Sequence, residues 1–225
     1  LKKIPSVRVS RSSAVLPVYK EFERGIATWL NAALEPLISR YLVNLQDSLG
    51  KPKLQIMQSS GETISAGIAA KSAVNLLLSG PAGGLKAVQY IGKQIGEEKL
   101  ISFDMGGTST DVALIDGKVE ITTEGTLGGY PVSVPMLDMQ TIGAGGGSIA
   151  FIDAGGLLRV GPESAGANPG PACYNQGGIV PTVTDAHLVL ERLSGDSGLA
   201  GGLKLDRRLA LAAIKRLSVP LKLSV

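Results

Sequence analysis

The stretch FDMGGTSTDV, residues 103–112, decides how this chain is read. It sets two glycines, three hydroxyl side chains and two acids between runs that alternate like strands, KLISFDM (99–105) and TDVALID (110–116). Gly106 and Gly107 let a turn expose consecutive backbone N–H groups, which can converge on an anion. Thr108, Ser109 and Thr110 add donors without bulk. Asp104, at the end of a strand, can hold a magnesium-bound water or orient an attacking one. Asp111 is the second acid, and a turn alone explains neither. A hydrogen bond to a charged phosphate contributes roughly 1.5–3 kcal/mol, against about 1 for a neutral one. The alternative is a glycine hairpin whose hydroxyls satisfy its own backbone. One or two glycines suffice for that, so the phosphate cradle is the expectation carried forward. It is not a Walker loop, because G-x-x-x-x-G-K-[ST] occurs nowhere.

Composition narrows the rest. The chain has 225 residues, enough for one substantial domain or two small ones, and we expect a single domain over 1–225. Glycine is abundant, 30 of 225, against roughly 7% in average proteins. The net charge is +3, but Lys2-Lys3 and Arg207-Arg208 are the longest basic runs, so no nucleic-acid face is expected. The single cysteine, Cys173, excludes a disulfide framework and a cysteine metal site. It fits a reducing, cytoplasmic setting. No apolar run approaches the length of a membrane span and no signal peptide is evident. The chain opens on Leu1 rather than Met and stops soon after an amphipathic segment, which suggests a fragment of a longer polypeptide.

Along the chain, VRVSRSS (7–13) alternates like a short strand. Phe22, Ile26, Trp29, Leu30, Ala33, Leu34, Leu37, Tyr41, Leu42 and Leu45 form one helical stripe over 19–45, with Pro36 expected to kink it. KLQIMQS (53–59) reads as a buried strand, 65–72 as a short helix, and LLLSGPAGG (76–84) as a strand entering a glycine turn before a helix over 85–96. KVEITTE (118–124) follows Asp116-Gly117, a strong hairpin signal. Residues 149–161 read as a hairpin turning at Ala154-Gly155-Gly156, and 161–182 as a glycine- and proline-rich loop. Helices are expected over 184–193, capped by Thr184, and over 206–217, capped by Asp206. The class is α/β.

Other candidates are weaker. Gly143-Ala144-Gly145-Gly146-Gly147-Ser148 contains a G-x-G-x-x-A match, but no long helix can follow it before Asp153-Ala154-Gly155-Gly156, so it is no dinucleotide fingerprint. It is either a bend where backbone passes close to another element or a loop touching substrate or nucleotide. Ser79-Gly80-Pro81-Ala82-Gly83-Gly84 precedes a helix and reads equally as an anion site or a packing turn. Asp138 follows an apolar run, so it is a candidate buried, partnered acid. Asp185 favours a helix N-terminus. His187, the lone histidine, is read as packed or surface, and Cys173 as a small apolar filler.

The hairpin stretch resembles the phosphate turn of the actin, sugar-kinase and heat-shock-chaperone ATPases. Several stretches together point further: residues 16–42 (LPVYKEFERGIATWLNAALEPLISRYL), 77–84 (LLSGPAGG), 101–115 (ISFDMGGTSTDVALI), 134–174 (from VPMLDMQTIGAGGGS to GPACY) and 177–193 (GGIVPTVTDAHLVLERL). In this order they resemble the A-type subunit of the hydantoinase/5-oxoprolinase family, which includes N-methylhydantoinase A and acetone carboxylase beta-type subunits. The resemblance covers about 10–220.

It implies an incomplete actin-like (ribonuclease H-like) ATPase lobe, a mixed sheet with flanking helices. It implies ATP-dependent opening of a cyclic amide such as hydantoin, N-methylhydantoin or 5-oxoproline, in which ATP phosphorylates the ring carbonyl oxygen. It assigns Asp104, Gly106, Gly107, Thr108, Ser109 and Thr110 to a phosphate loop, with Asp104 facing Mg²⁺ or water, and it lines the same cleft with Gly143, Gly145, Gly146, Gly147 and Ser148. Asp111 and Asp138 are the other candidate catalytic acids, and a B-type partner subunit is implied. A carboxylase on the same scaffold, or a non-catalytic nucleotide- or partner-binding module, are the alternatives. Three residues depart from the family pattern: Gln140 where His is expected, and Ser60 and Glu62 where Asn and Gly are usual. The first D-x-G-G-T loop and the later adenosine stretch are not in this sequence, so the chain alone is expected to bind ATP weakly or not at all.

Overall fold

A computed structural model describes residues 7–50, 52–195 and 202–224. In chain order its helices are α1 (Ser12–Val15), α2 (Glu21–Leu49), α3 (Ala66–Ala69), α4 (Ser79–Ile95), α5 (Val183–Val189) and α6 (Arg207–Leu221). Its strands are β1 (Gln55–Met57), β2 (Thr63–Ser65), β3 (Lys99–Met105), β4 (Thr110–Asp116), β5 (Ile121–Thr122), β6 (Gly125–Leu127), β7 (Tyr130–Val132), β8 (Met136–Leu137), β9 (Gln140–Ile142), β10 (Ser148–Ile152) and β11 (Leu158–Ser164). The three-stranded sheet runs β3-β4-β9, and the other sheets are two-stranded. The chain divides into two compact units, residues through Ser102 with Ala113–Met139, and Phe103–Val112 with Gln140 onward.

In the first unit, α2 buries only part of its apolar stripe, with Leu42 buried and Leu30 packed against the core. Ala27, Asn31 and Leu42 are buried, whereas Phe22, Trp29, Leu37 and Tyr41 of the expected stripe are exposed. Helical spacing establishes that the segment is a helix, but the face that is covered depends on the partner surface. Asn31 explains its own burial: its amide donates to Ser10 Oγ (3.0 Å) and the Lys71 carbonyl (3.1 Å), and its oxygen accepts from Val74 N–H (3.2 Å). Leu16, Ala27, Val74, Val132, Val134 and Met136 form one core, and Ala82, Leu85, Ala113, Ile115, Val119 and Leu137 another.

Four expectations in this unit are corrected. The strand within 53–59 is not buried: β1 spans only Gln55–Met57, with Gln55 exposed and Ile56 and Met57 half-buried. Residues 7–11 form no strand, and the local helix α1 follows them. The stretch 76–84 is not a strand. A 3₁₀ turn, Ala73–Leu76, precedes α4, which already begins at Ser79 and takes in Gly80, Gly83 and Gly84. Pro81 is tolerated there because a first-turn N–H has no intrahelical partner to lose. The Asp116-Gly117 turn is present, with Gly117 at φ +67°, but it closes only a single bridge from Asp116 to Lys118. The strand beyond it is short, and β5 pairs with β8 instead. Gly96, by contrast, ends α4 in the left-handed conformation, as its position predicts.

The second unit is built on the β10–β11 antiparallel hairpin, with α5 and α6 packed on each other. Cys173, Leu188, Leu205 and Ala210 are its core. Asp206 caps α6, accepting from the N–H groups of Arg208 (2.8 Å) and Leu209 (3.4 Å). The cap of α5 is Thr182 rather than Thr184, which shifts His187 from the first turn to the last.

Candidate functional site

β3 ends at Met105 and β4 begins at Thr110, so the turn falls at the two glycines. It is closed by the Gly106 N–H donating to the Ser109 carbonyl at 2.9 Å. A second glycine-rich segment grips this turn by its carbonyls. The Gly146 N–H donates to the Gly106 carbonyl (3.0 Å), and the Gly147 N–H to the Gly107 carbonyl (2.6 Å). The buried Thr110 hydroxyl donates back to the Ala144 carbonyl at 2.5 Å.

Close approach explains why residues 145–147 are glycine. A Cβ on Gly145 would lie 2.7 Å from the Thr108 nitrogen and 2.8 Å from the Gly107 carbonyl carbon. On Gly147 it would lie 2.9 Å from the Gly107 oxygen, and on Gly146 2.7 Å from Thr184 Oγ1. Their amides are all engaged within the protein. Gly145 N–H donates to the buried Ser148 hydroxyl oxygen (2.9 Å), and Ser148 N–H to the Gly145 carbonyl (3.0 Å). Gly143 passes Pro162 at an ordinary contact distance, 3.5 Å from a would-be Cβ.

The turn itself is the opposite. The N–H groups of Gly107, Thr108 and Ser109, and the hydroxyls of Thr108 and Ser109, make no hydrogen bond to any described residue. Gly107 and Thr108 are exposed and Ser109 is half-buried. A Cβ on Gly107 would meet nothing within 4 Å. The carbonyl side of the turn is therefore tied down while its donor side is open, which is the arrangement an anion requires.

The acids differ from one another. Asp104 is exposed on β3, and its carboxylate has no hydrogen bond or ion pair to a described residue. Asp111 pairs across β4–β9 with Thr141, whose hydroxyl donates to its carboxylate at 2.6 Å. Asp138 belongs to the first unit, and Asp104 and Asp111 belong to the second. Asp138 is exposed rather than buried, and its backbone N–H donates to the Glu120 carbonyl at 2.8 Å. Gln140 is exposed and pairs with Val112. Among the described residues, no three His, Cys, Asp or Glu side chains gather as a metal site. A lone Asp104 still suits Mg²⁺, which commonly takes one or two carboxylates and completes its shell with phosphate oxygens and water.

Sequence reasoning passed over the support beneath this turn. Thr184 N–H and Oγ1 both donate to the Gly146 carbonyl, at 2.7 and 2.8 Å. Asp185 is fully buried and its carboxylate accepts four hydrogen bonds, from the N–H groups of Ala172 (3.3 Å), Cys173 (2.8 Å) and Thr182 (2.9 Å) and from Thr182 Oγ1 (2.7 Å). It thereby pins the end of the 161–182 loop to α5. The signal was available in Thr182-x-x-Asp185, the spacing of a reciprocal cap. Burial pushes the Cys173 thiol up, with the Asp185 charge beside it adding to the effect, so the thiol is inert packing. Burial likewise pushes the Tyr174 phenol up.

No described helix is long and apolar enough to cross a membrane. The profile of the Hydantoinase/oxoprolinase family matches residues 24–225. An uncharacterised protein of Methanocaldococcus jannaschii is 43% identical over 95% of this chain and 34% of its own length. Caprolactamase subunit alpha of Pseudomonas jessenii is 39% identical, over 99% of this chain and 33% of its own. The crystal structure of that ATP-dependent caprolactamase superposes with a TM-score of 0.74, covering 98% of this chain and 33% of the other. Nucleotide-free acetone carboxylase superposes with a TM-score of 0.81 at 34% identity, over 95% of this chain and 31% of the other. The mixed α/β fold is thus shared with both enzymes. The chain spans about a third of the length of these curated relatives.

Proposed function

This chain belongs to the hydantoinase/oxoprolinase family, and from that premise we propose that it carries one phosphate-binding turn of an actin-like ATPase lobe, within an enzyme that opens a cyclic amide at the expense of ATP. The observation that carries the reading is the open row of donors at Gly107, Thr108 and Ser109, held from the carbonyl side by Gly146 and Gly147. In this reading those amides and hydroxyls hold the terminal phosphates of ATP. Gly106 and Thr110 shape the turn, and Gly143, Gly145, Gly146, Gly147 and Ser148 line and brace the cleft. Asp104 holds Mg²⁺ or orients water. Asp111, fixed by Thr141, and Asp138 are the remaining candidate acids.

The chemistry has a clear need for ATP. An unstrained amide is a poor electrophile, and ATP supplies a phosphoryl group that makes the carbonyl oxygen a better leaving group. The chain's contribution is to hold that phosphate and its charge in fixed positions, which costs no reorganisation at the moment of reaction. The substrate class extends the similarity to caprolactamase, and a B-type partner extends the fact that this relative is an alpha subunit.

The test is a phosphate-release screen of the full-length protein with its partner subunit, offering hydantoin, N-methylhydantoin, 5-oxoproline, caprolactam, and ketones with bicarbonate. Release that depends on one of the cyclic amides supports the reading, and silence with every lactam overturns it. A second reading, an ATP-dependent ketone carboxylase, is favoured by the TM-score of 0.81 to acetone carboxylase. Bicarbonate-dependent release with a ketone would select it.

A further inference from the structure

We infer that Thr184 is a positioning residue for the phosphate turn, acting through Gly146. The inference rests on the phosphate-binding reading of residues 106–110. The Gly146 carbonyl accepts from both donors of Thr184, the N–H at 2.7 Å and Oγ1 at 2.8 Å. The Gly146 N–H in turn donates to the Gly106 carbonyl at 3.0 Å. One glycine therefore links the first turn of α5 to the turn that bears the free amides.

The far end of this link is tied down by a buried hydrogen-bond network. Thr182 and Asp185 form a reciprocal cap, and the Asp185 carboxylate is fully buried with four donors around it. Charge-assisted hydrogen bonds to a desolvated carboxylate are among the strongest a protein makes. The near end is closed by the Gly106 N–H to Ser109 carbonyl bond, and its carbonyls are held from the second segment. The amides of Gly107, Thr108 and Ser109 have no partners of their own; those of Gly107 and Thr108 share peptide planes with the carbonyls of Gly106 and Gly107 that Gly146 and Gly147 hold, so their direction follows from those two bonds. Thr184 sits so close to Gly146 that a methyl group there would reach 2.7 Å from its hydroxyl. The hydroxyl thus sets where Gly146 can lie, and Gly146 sets where the turn lies. Donors fixed before the ligand arrives bind it more tightly, because no ordering cost is left to meet on binding.

The experiment measures ATP affinity by calorimetry on the full-length protein with its partner subunit, recording Tm for each variant. Thr184→Val keeps the shape and the backbone N–H but removes the hydroxyl, and is expected to weaken ATP binding roughly fivefold, as for one lost hydrogen bond. Thr184→Ser restores the donor and is expected to bind within about twofold of the parent. An unchanged affinity in Thr184→Val, whatever its Tm, makes Thr184 a purely structural residue and overturns the inference. If valine prevents folding, Thr184→Ala is measured in its place and read the same way. The double variant Thr108→Ala/Ser109→Ala runs in parallel. If it too binds ATP normally, the phosphate-binding reading has failed. If it binds weakly while Thr184→Val does not, only the role of Thr184 has failed.

Discussion

Two glycine-rich segments of the second unit, 105–110 and 143–148, look alike as sequence and do opposite things with their backbones. In 143–148 the amides of Gly145, Gly146, Gly147 and Ser148 all bond within the protein, and a side chain at Gly145 or Gly147 would strike the neighbouring backbone. In 105–110 the amides of Gly107, Thr108 and Ser109 bond to no described residue, and a side chain at Gly107 would meet open space. The same residue type serves close packing in one segment and an open donor surface in the other. Glycine content identifies neither role. What separates them is where each N–H goes.

Four substitutions in the full-length protein test this contrast. Asp104→Asn, beside the open turn, is expected to lower substrate-stimulated ATP hydrolysis by at least about 100-fold. Its stability should stay within about 0.5 kcal/mol, because the carboxylate is exposed and unpartnered among the described residues. Turnover at the parental rate would remove Asp104 from the site. Gly145→Ala should cost about 3 kcal/mol in urea unfolding, since the added carbon meets backbone atoms at 2.7 and 2.8 Å that cannot move aside. A loss below about 1 kcal/mol would show that the two segments are not in the contact described. Thr108→Ala should weaken ATP binding roughly tenfold, as for one charge-assisted bond. Its urea midpoint should match the parent, and a fall in stability without a fall in affinity would return the turn to a self-satisfied hairpin. Gly107→Ala is the smallest effect, a change in stability within about 0.5 kcal/mol, because nothing lies within 4 Å of the new carbon. A cost near that of Gly145→Ala would erase the distinction between the two segments.

Much of the local structure was legible. The bounds of β3 and β4 fall where alternation put them, at Lys99–Met105 and Thr110–Asp116. The β10–β11 hairpin, the Gly96 stop and the Asp206 cap are likewise local features carried by a few adjacent residues. The misreadings share a cause. The apolar run 76–78 looked like a strand, but the helix beginning at Ser79 accommodates Gly80 and Pro81 in its opening turn and takes in Gly83 and Gly84 after them. The Asp116-Gly117 turn was real, yet the partner of the next strand, Met136–Leu137, lay farther along the chain. Asp138 looked buried because its neighbours Met136 and Leu137 are, but β8 ends at Leu137 and Asp138, just beyond it, is exposed.

The site divides in the same way. The residue types of 103–112 by themselves determined that a short turn would offer small donors beside an acid, because glycine, threonine, serine and aspartate permit little else between two strands. Only the tertiary structure decided that these donors stay open, that the glycines at 145–147 brace them, and that Thr184 and Asp185 stand behind the brace. The reason is physical. A residue's conformational freedom is written in its own side chain and its immediate neighbours, but the partner of a backbone N–H is chosen by segments from elsewhere in the sequence, brought near only when the chain folds.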